Sequence, residues 1–329
     1  MNRVPLMSVR DLSVEFAARR SLFGRPAPNV HALSKVSFDI HAGEIVGIVG
    51  ESGSGKTTIG RCMVRLQRPT GGRVEFEGRD IHGLSGADLN WYRRQVQMIF
   101  QDPAASLNPR LRVVDIVAEG LEIHRIGNRD SRRKTVVELL AAVGLGEDAL
   151  TRFAHEFSGG QRQRIGIARA MALRPRLIVA DEPVSALDVS VQAKVINLLR
   201  ELRARMDLAM AFVSHDLPTV MFLCDRLVIM YLGRVMEIAP VREFREQPCH
   251  PYSRSLMSLV PGLGRRHSPA TRHPPTITPV TQSHHEGCAF RNRCPYAVAD
   301  CAVVTPPLRQ VTPTRQVACL RPEIFHDPC

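Results

Sequence analysis

The chain has 329 residues, of which 44% are hydrophobic and 23% charged, and a formal net charge of +12. That length buries a core without difficulty, and the composition excludes a chain disordered over most of its length. No apolar run approaches the ~20 residues of a membrane-spanning helix. The N-terminus MNRVPLMSVRDL has no apolar centre of a secretory signal, so the chain is expected to remain in the cytosol. Its basic residues fall in short clusters (Arg19–Arg20, Arg132–Lys134, Arg265–Arg266), and aromatic residues are only 5% of the total. This favours a solvated basic face over an anionic membrane or partner. It also weighs against nucleic acid, whose single strands call for stacking aromatics.

In chain order, EIVGIVG (Glu44 to Gly50) is a continuous apolar run ending in glycine, the pattern of a strand buried on both faces. After Lys56, TTIGRCMVRLQ predicts a helix stopped by Pro69 and Gly71–Gly72. Val74 and Phe76 alternate with Glu75 and Glu77 as a half-exposed strand. Val136, Leu139, Leu140 and Val143 lie on one face of a helix closed by Gly144. LIVADEP (Leu177 to Pro183) and AMAFVSHD (Ala209 to Asp216) are two more buried strands with polar residues at their C-terminal ends. That is the pattern of an open parallel α/β sheet. From Pro261 the texture turns to Pro, Ser, Thr and His, a linker or extended surface segment that includes His284 and His285.

Between a predicted strand and a predicted helix, GESGSGKT (Gly50 to Thr57) has the spacing of a phosphate-binding loop. Its glycines let N–H groups face phosphate oxygens at a helix N-terminus; Lys56 would reach the β- and γ-phosphates and the Thr57 hydroxyl would bind Mg²⁺. Asp181 and Glu182, past the end of a strand, could hold Mg²⁺ and activate water; they could equally be an N-cap pair for a helix that Pro183 helps to start. His215 is either an ordinary strand-end histidine or a γ-phosphate sensor. Gln101 is either a polar loop residue or a contact to Mg²⁺ and the attacking water. FSGGQRQR (Phe157 to Arg164) prepares a second helix N-terminus to receive an anion.

Taken together and in order, Gly50–Thr57, Gln101, Ser158–Gln161, Leu177–Glu182, Ser185–Asp188 and His215 resemble the Walker A, Q-loop, signature, Walker B, D-loop and H-switch of ATP-binding cassette proteins. The resemblance runs from about residue 5 to 260. It implies an α/β fold with a RecA-like core, an antiparallel β subdomain and a helical subdomain at about 101–172, followed by a small Cys-rich extension over 261–329. It implies ATP held by Gly50, Glu51, Ser52, Gly53, Ser54, Gly55, Lys56, Thr57 and Thr58, with Phe16 stacked on adenine. Mg²⁺ would be held by Thr57, Gln101 and Asp181; Glu182, His215 and Gln101 would be catalytic, and Asp188 would belong to the D-loop. In that family two subunits pack head to tail. Ser158, Gly159, Gly160 and Gln161 would then face ATP bound by the partner, which gives the second anion-ready helix its purpose. Phe157 stands where leucine is commoner.

FQDPAASLNPR, FSGGQRQRIGIARA, ADEPVSALDVSVQA, SHDLPTV, MYLGRVME, HPYSRSL and the tail GCAFRNRC are similar to the ATP-binding subunits of bacterial dipeptide and oligopeptide importers, the F-type more than the D-type. The resemblance implies a peripheral subunit on the cytoplasmic face of the inner membrane. Its partners would be a second, different ATPase subunit, two permeases and, indirectly, an extracytoplasmic peptide-binding protein. The other reading is a soluble ATP-binding cassette protein acting on nucleic acid, which generally carries two cassettes where this chain has one Walker A.

Cys62, Cys224 and Cys249 read as buried small hydrophobes. Cys288, Cys294, Cys301 and Cys319 leave gaps of five, six and seventeen residues. Bunched in a cytosolic chain, they suggest a metal site more than disulfides. Zinc or iron–sulfur ligation is open on spacing alone, since both usually use closer pairs; the family resemblance implies a [4Fe–4S] cluster. Cys329 is expected to be free.

Overall fold

The computed structural model describes residues 4–17, 29–185, 187–260 and 286–325. The stretch from Pro261 to His285, Cys329, Ala186 and all of Arg19–Asn29 except Asn29 lie outside the described residues. β1 (Met7–Phe16) and β2 (Val30–Ile40) pair antiparallel, and β3 (Ile45–Val49) runs into α1 (Lys56–Met63). β4 (Gly71–Phe76) and β5 (Arg79–Asp80) complete a four-stranded sheet of order β2-β1-β4-β5. α2 (Gly86–Gln95) precedes β6 (Val96–Ile99). A helical part follows: α3 (Pro103–Ser106), α4 (Val113–Ile123), α5 (Arg129–Ala142) and α6 (Gly159–Met171).

The chain then re-enters the core through β7 (Leu177–Asp181), α7 (Val189–Met206), β8 (Ala209–Ser214), α8 (Leu217–Leu223), β9 (Arg226–Tyr231) and β10 (Arg234–Pro240). Two short helices, α9 (Val241–Glu246) and α10 (Pro251–Ser258), precede the tail, which adds β11 (Arg309–Thr312) and β12 (Arg315–Val317). The second sheet has order β11-β12-β10-β9-β3-β8-β7-β6, parallel from β9 through β6. β3, β7 and β8 are buried at every position, as their unbroken apolar runs predict for strands covered on both faces.

Two boundaries differ from the sequence expectation. The first helix stops at Met63, because Arg65 takes a left-handed φ of 60° and the Leu66 N–H returns to the Arg61 carbonyl at 2.8 Å, closing the helix before Pro69 is reached. No helix starts at Pro183. The next one begins at Val189, where the Asp188 carboxylate caps it by accepting the Val191 N–H at 2.9 Å.

The tail is part of the core sheet, and a buried carboxylate ties it there. Glu237 on β10 is fully buried. It accepts the N–H groups of Cys249 at 3.0 Å and His250 at 2.9 Å, and Arg315 of β12 lies with its Nε 3.9 Å away. Burial pushes the Glu237 carboxyl above its ordinary range, against the pull of these donors. Glu237→Ala should therefore cost about 3 kcal/mol, because it leaves two buried N–H groups without their acceptor and removes one of the two carboxylates that face the buried Arg315 guanidinium. A urea midpoint unchanged from the parent chain would show that this anchor carries no weight.

Candidate functional site

The phosphate loop is shaped by what surrounds it. A Cβ on Gly50 would meet the Met230 carbonyl oxygen at 2.2 Å, and Gly55 sits at φ +98°, a conformation open to glycine. The loop is held by a bond from the Gly233 N–H to the Ser54 carbonyl at 3.0 Å. Lys56 is buried, and its ammonium donates to the carbonyls of Gly50 at 2.8 Å and Glu51 at 2.9 Å. Burial lowers its pKa, opposed by the carboxylates of Glu182, Asp181 and Glu51. Ser52, Gly53, Thr57 and Thr58 complete the loop and the first turn of α1.

At the end of β7, Asp181 is buried and its Oδ1 accepts the Thr57 hydroxyl at 3.0 Å. Burial raises its pKa while the Thr57 bond lowers it. This oxygen pair fits Mg²⁺, which is commonly held by one or two protein oxygens together with substrate phosphates.

Glu182 follows in a left-handed conformation, φ 46°, uncommon for a residue with a side chain and found where surrounding structure enforces it. Both of its carboxylate oxygens are occupied. Gln101 Nε2 donates to one at 2.9 Å, and His215 Nδ1 lies 3.1 Å from the other. Three residues from three separate stretches of sequence thus meet at one carboxylate. The reading of Asp181–Glu182 as an N-cap pair does not describe this arrangement.

At the signature, Ser158 caps α6 in a reciprocal box: Gln161 Oε1 accepts the Ser158 N–H at 3.0 Å, and the Ser158 hydroxyl accepts the Gln161 N–H at 3.4 Å. This leaves the N–H groups of Gly159 and Gly160 outside the box. Gly160 has a packing reason as well, since a Cβ there would meet Val191 of α7 at 2.3 Å. Ser158, Gly160 and Gln161 line a pocket of about 280 Å³ with Arg164, Val191 and Lys194, and no phosphate-loop residue takes part. The two cations were not legible in the sequence, because only the packing of α7 on α6 brings Lys194 beside Arg164. Phe157 is buried, with Arg152 stacked 4.2 Å above its ring. Phe16, 41% exposed, ends β1 beside the residues that are not described.

Gln101 also borders an open groove of about 780 Å³ between α1, β6 and the helical part, which exposes Leu66 and Ile123 beside Arg93 and His124. In the tail, Cys288, Cys294, Cys301 and Cys319 line one small pocket together with Phe290. Burial pushes the Cys294 thiol up to about 11 and raises Cys288 and Cys319. Among the described residues, no group of three His, Cys, Asp or Glu stands close enough together to hold a metal ion. Among the same residues, no helix is long and apolar enough to cross a membrane.

The ABC transporter family model matches residues 33–185, and that of the oligopeptide/dipeptide transporter C-terminal region matches 236–301. The chain is 47% identical over 334 residues to a putative peptide import ATP-binding protein of Brucella ovis, covering 98% of this chain and 100% of the relative. It is 44% identical to the oligopeptide transport ATP-binding protein AppF of Bacillus subtilis, with 97% and 98% covered. An ATP-binding cassette solved as a dimer in a post-hydrolysis state with ADP and Pi superposes with a TM-score of 0.63 at 29% identity, over 72% of this chain and 99% of that one. The nucleic-acid reading finds no support among these proteins. The chain belongs to the ABC transporter ATPases, in the family of ATP-binding subunits of dipeptide and oligopeptide importers.

Proposed function

We propose that this subunit turns ATP hydrolysis into peptide import with Glu182 as the general base; the observation that carries this is the carboxylate held at both oxygens by Gln101 and His215. ATP lies on the loop Gly50–Thr58, its phosphates facing the loop N–H groups and Lys56, with Phe16 against adenine. Thr57, Asp181 and the side-chain carbonyl of Gln101 would hold Mg²⁺, which when bound would neutralise charge on the phosphate oxygens. Glu182 takes the proton of the attacking water, a step worth ~10²–10⁴-fold. His215, from the end of β8, orients Glu182 and senses the γ-phosphate.

Residues 1–260 form the ATP-binding unit, with a helical subdomain at about 101–172, and 261–329 form the extension. Ser158, Gly159, Gly160 and Gln161 receive the γ-phosphate of a second, D-type ATPase subunit, with Asp188 at that interface. Supporting this, the signature pocket excludes the chain's own phosphate loop and adds Arg164 and Lys194 as anion-attracting charges. The Gln101 groove and the helical part grip permease loops, in an assembly of two ATPase subunits on two permeases fed by an extracytoplasmic peptide-binding protein; on this reading the subunit sits at the cytoplasmic face of the inner membrane.

The four tail thiols hold a [4Fe–4S] cluster as thiolates. All four line one pocket, and the resemblance to importer subunits favours the cluster over a tetrahedral zinc, which four thiolates would also suit.

Three outcomes are expected. In the assembled transporter, Glu182→Gln binds ATP like the parent but turns over at least ~100-fold more slowly and accumulates ATP-bound dimer; normal turnover removes the base assignment. Ser158→Arg stops hydrolysis at the partner's site while this chain's own loop still binds ATP; loss of its own binding would defeat the in-trans reading. Purified anaerobically, the chain carries iron and sulfide with a visible absorbance that Cys294→Ser loses; stoichiometric zinc, or no metal, would overturn the cluster.

A further inference from the structure

The phosphate loop carries an acid of its own. Glu51 immediately follows Gly50, close enough to Lys56 to be felt by its ammonium. A carboxylate at that point repels the polyphosphate the loop is shaped to hold, so its charge and direction matter for binding.

Residues distant in sequence control both. The Glu51 N–H donates to the Tyr252 hydroxyl of α10 at 3.1 Å. The Glu51 carboxylate accepts Arg293 Nη1 at 3.0 Å, and the same nitrogen donates to the Tyr231 hydroxyl at 3.4 Å. Arg293 is itself held in place. Its guanidinium lies 5.7 Å from the Tyr231 ring centroid and 5.5 Å from that of Phe290, while Phe290 packs edge-on against Tyr231 at 5.4 Å. The Arg293 side chain is 28% exposed, so the pair is partly shielded from solvent.

We propose that Arg293 is a positioning residue of the ATP site: it neutralises Glu51 and turns its carboxylate toward the tail, so that the loop admits the ATP polyphosphate. This rests on the reading of Gly50–Thr58 as the ATP loop. The tail thereby contributes to nucleotide binding, whatever its cysteines hold.

The test is the affinity of the purified full-length chain for Mg·ATP, measured by calorimetry alongside Tm. Arg293→Ala and Arg293→Gln should each weaken binding about three- to tenfold, the range of a partly exposed charge pair, with Arg293→Lys keeping most of the affinity. Adding Glu51→Gln to Arg293→Ala should recover most of the loss, because the repulsive charge is then gone. A purely structural staple predicts otherwise: the bridge is broken in the double variant too, so its affinity would stay low and follow Tm. Equal affinity of the parent and both Arg293 variants overturns the proposal, as does a loss that Glu51→Gln does not repair. A parent chain that binds no ATP would instead remove the reading of the loop, and Arg293's role with it.

Discussion

Lys56, folded onto the carbonyls of Gly50 and Glu51, feels three carboxylates, Glu182, Asp181 and Glu51, inside a loop shaped to receive an anion. Much of the site follows from that conflict. Hydrolysis requires a base beside the γ-phosphate, and a base is a negative charge where negative charge is least welcome. The fold separates the three carboxylates by their surroundings. Asp181 is buried and paired with the Thr57 hydroxyl, where a cation can sit. Glu182 is held at both oxygens, by Gln101 Nε2 at 2.9 Å and His215 Nδ1 at 3.1 Å, which fix its direction. Glu51 faces a guanidinium and is drawn to the outside of the loop.

The left-handed backbone at Glu182 is how the chain delivers the second of these. β7 continues its pairing with β8 as far as the Glu182 N–H, which donates to the Val213 carbonyl at 2.9 Å, and the chain must then turn at once. An extended residue there would carry the side chain past the loop. The turn that follows is stitched by the Ser185 N–H and hydroxyl on the Glu182 carbonyl, at 3.3 and 3.1 Å. Strain at one residue is thus balanced by a sheet on one side and a hydrogen-bonded turn on the other.

How much of this the sequence discloses depends on how local its cause is. β3, β7 and β8 were legible because a strand buried on both faces reads as an unbroken apolar run, and the phosphate loop because its glycines obey a fixed spacing. The end of α1 was not, since Arg65 adopts a glycine-like φ that its side chain does not announce. β11 and β12 were missed for a different reason: RQVT and RQV are polar, short and at a sheet edge, so no apolar alternation marks them. The meeting of Gln101, Glu182 and His215 could be anticipated only through family resemblance. Arg293 reaches Glu51 across 242 residues of sequence, and no pattern in either segment points to the other.

That last contact changes what the tail is in physical terms. β12 pairs with β10, Glu237 and Arg315 tie the two together beneath α10, and Tyr252 of α10 accepts the N–H of Glu51. Phe290, two residues after Cys288, packs on the ring of that tyrosine at 5.4 Å. The thiol pocket, the α10 helix and the phosphate loop are therefore one continuous packed body, and close-packed interiors pass strain on instead of absorbing it. Through Arg293 and Tyr252 the tail thus reaches both the carboxylate and the backbone of Glu51.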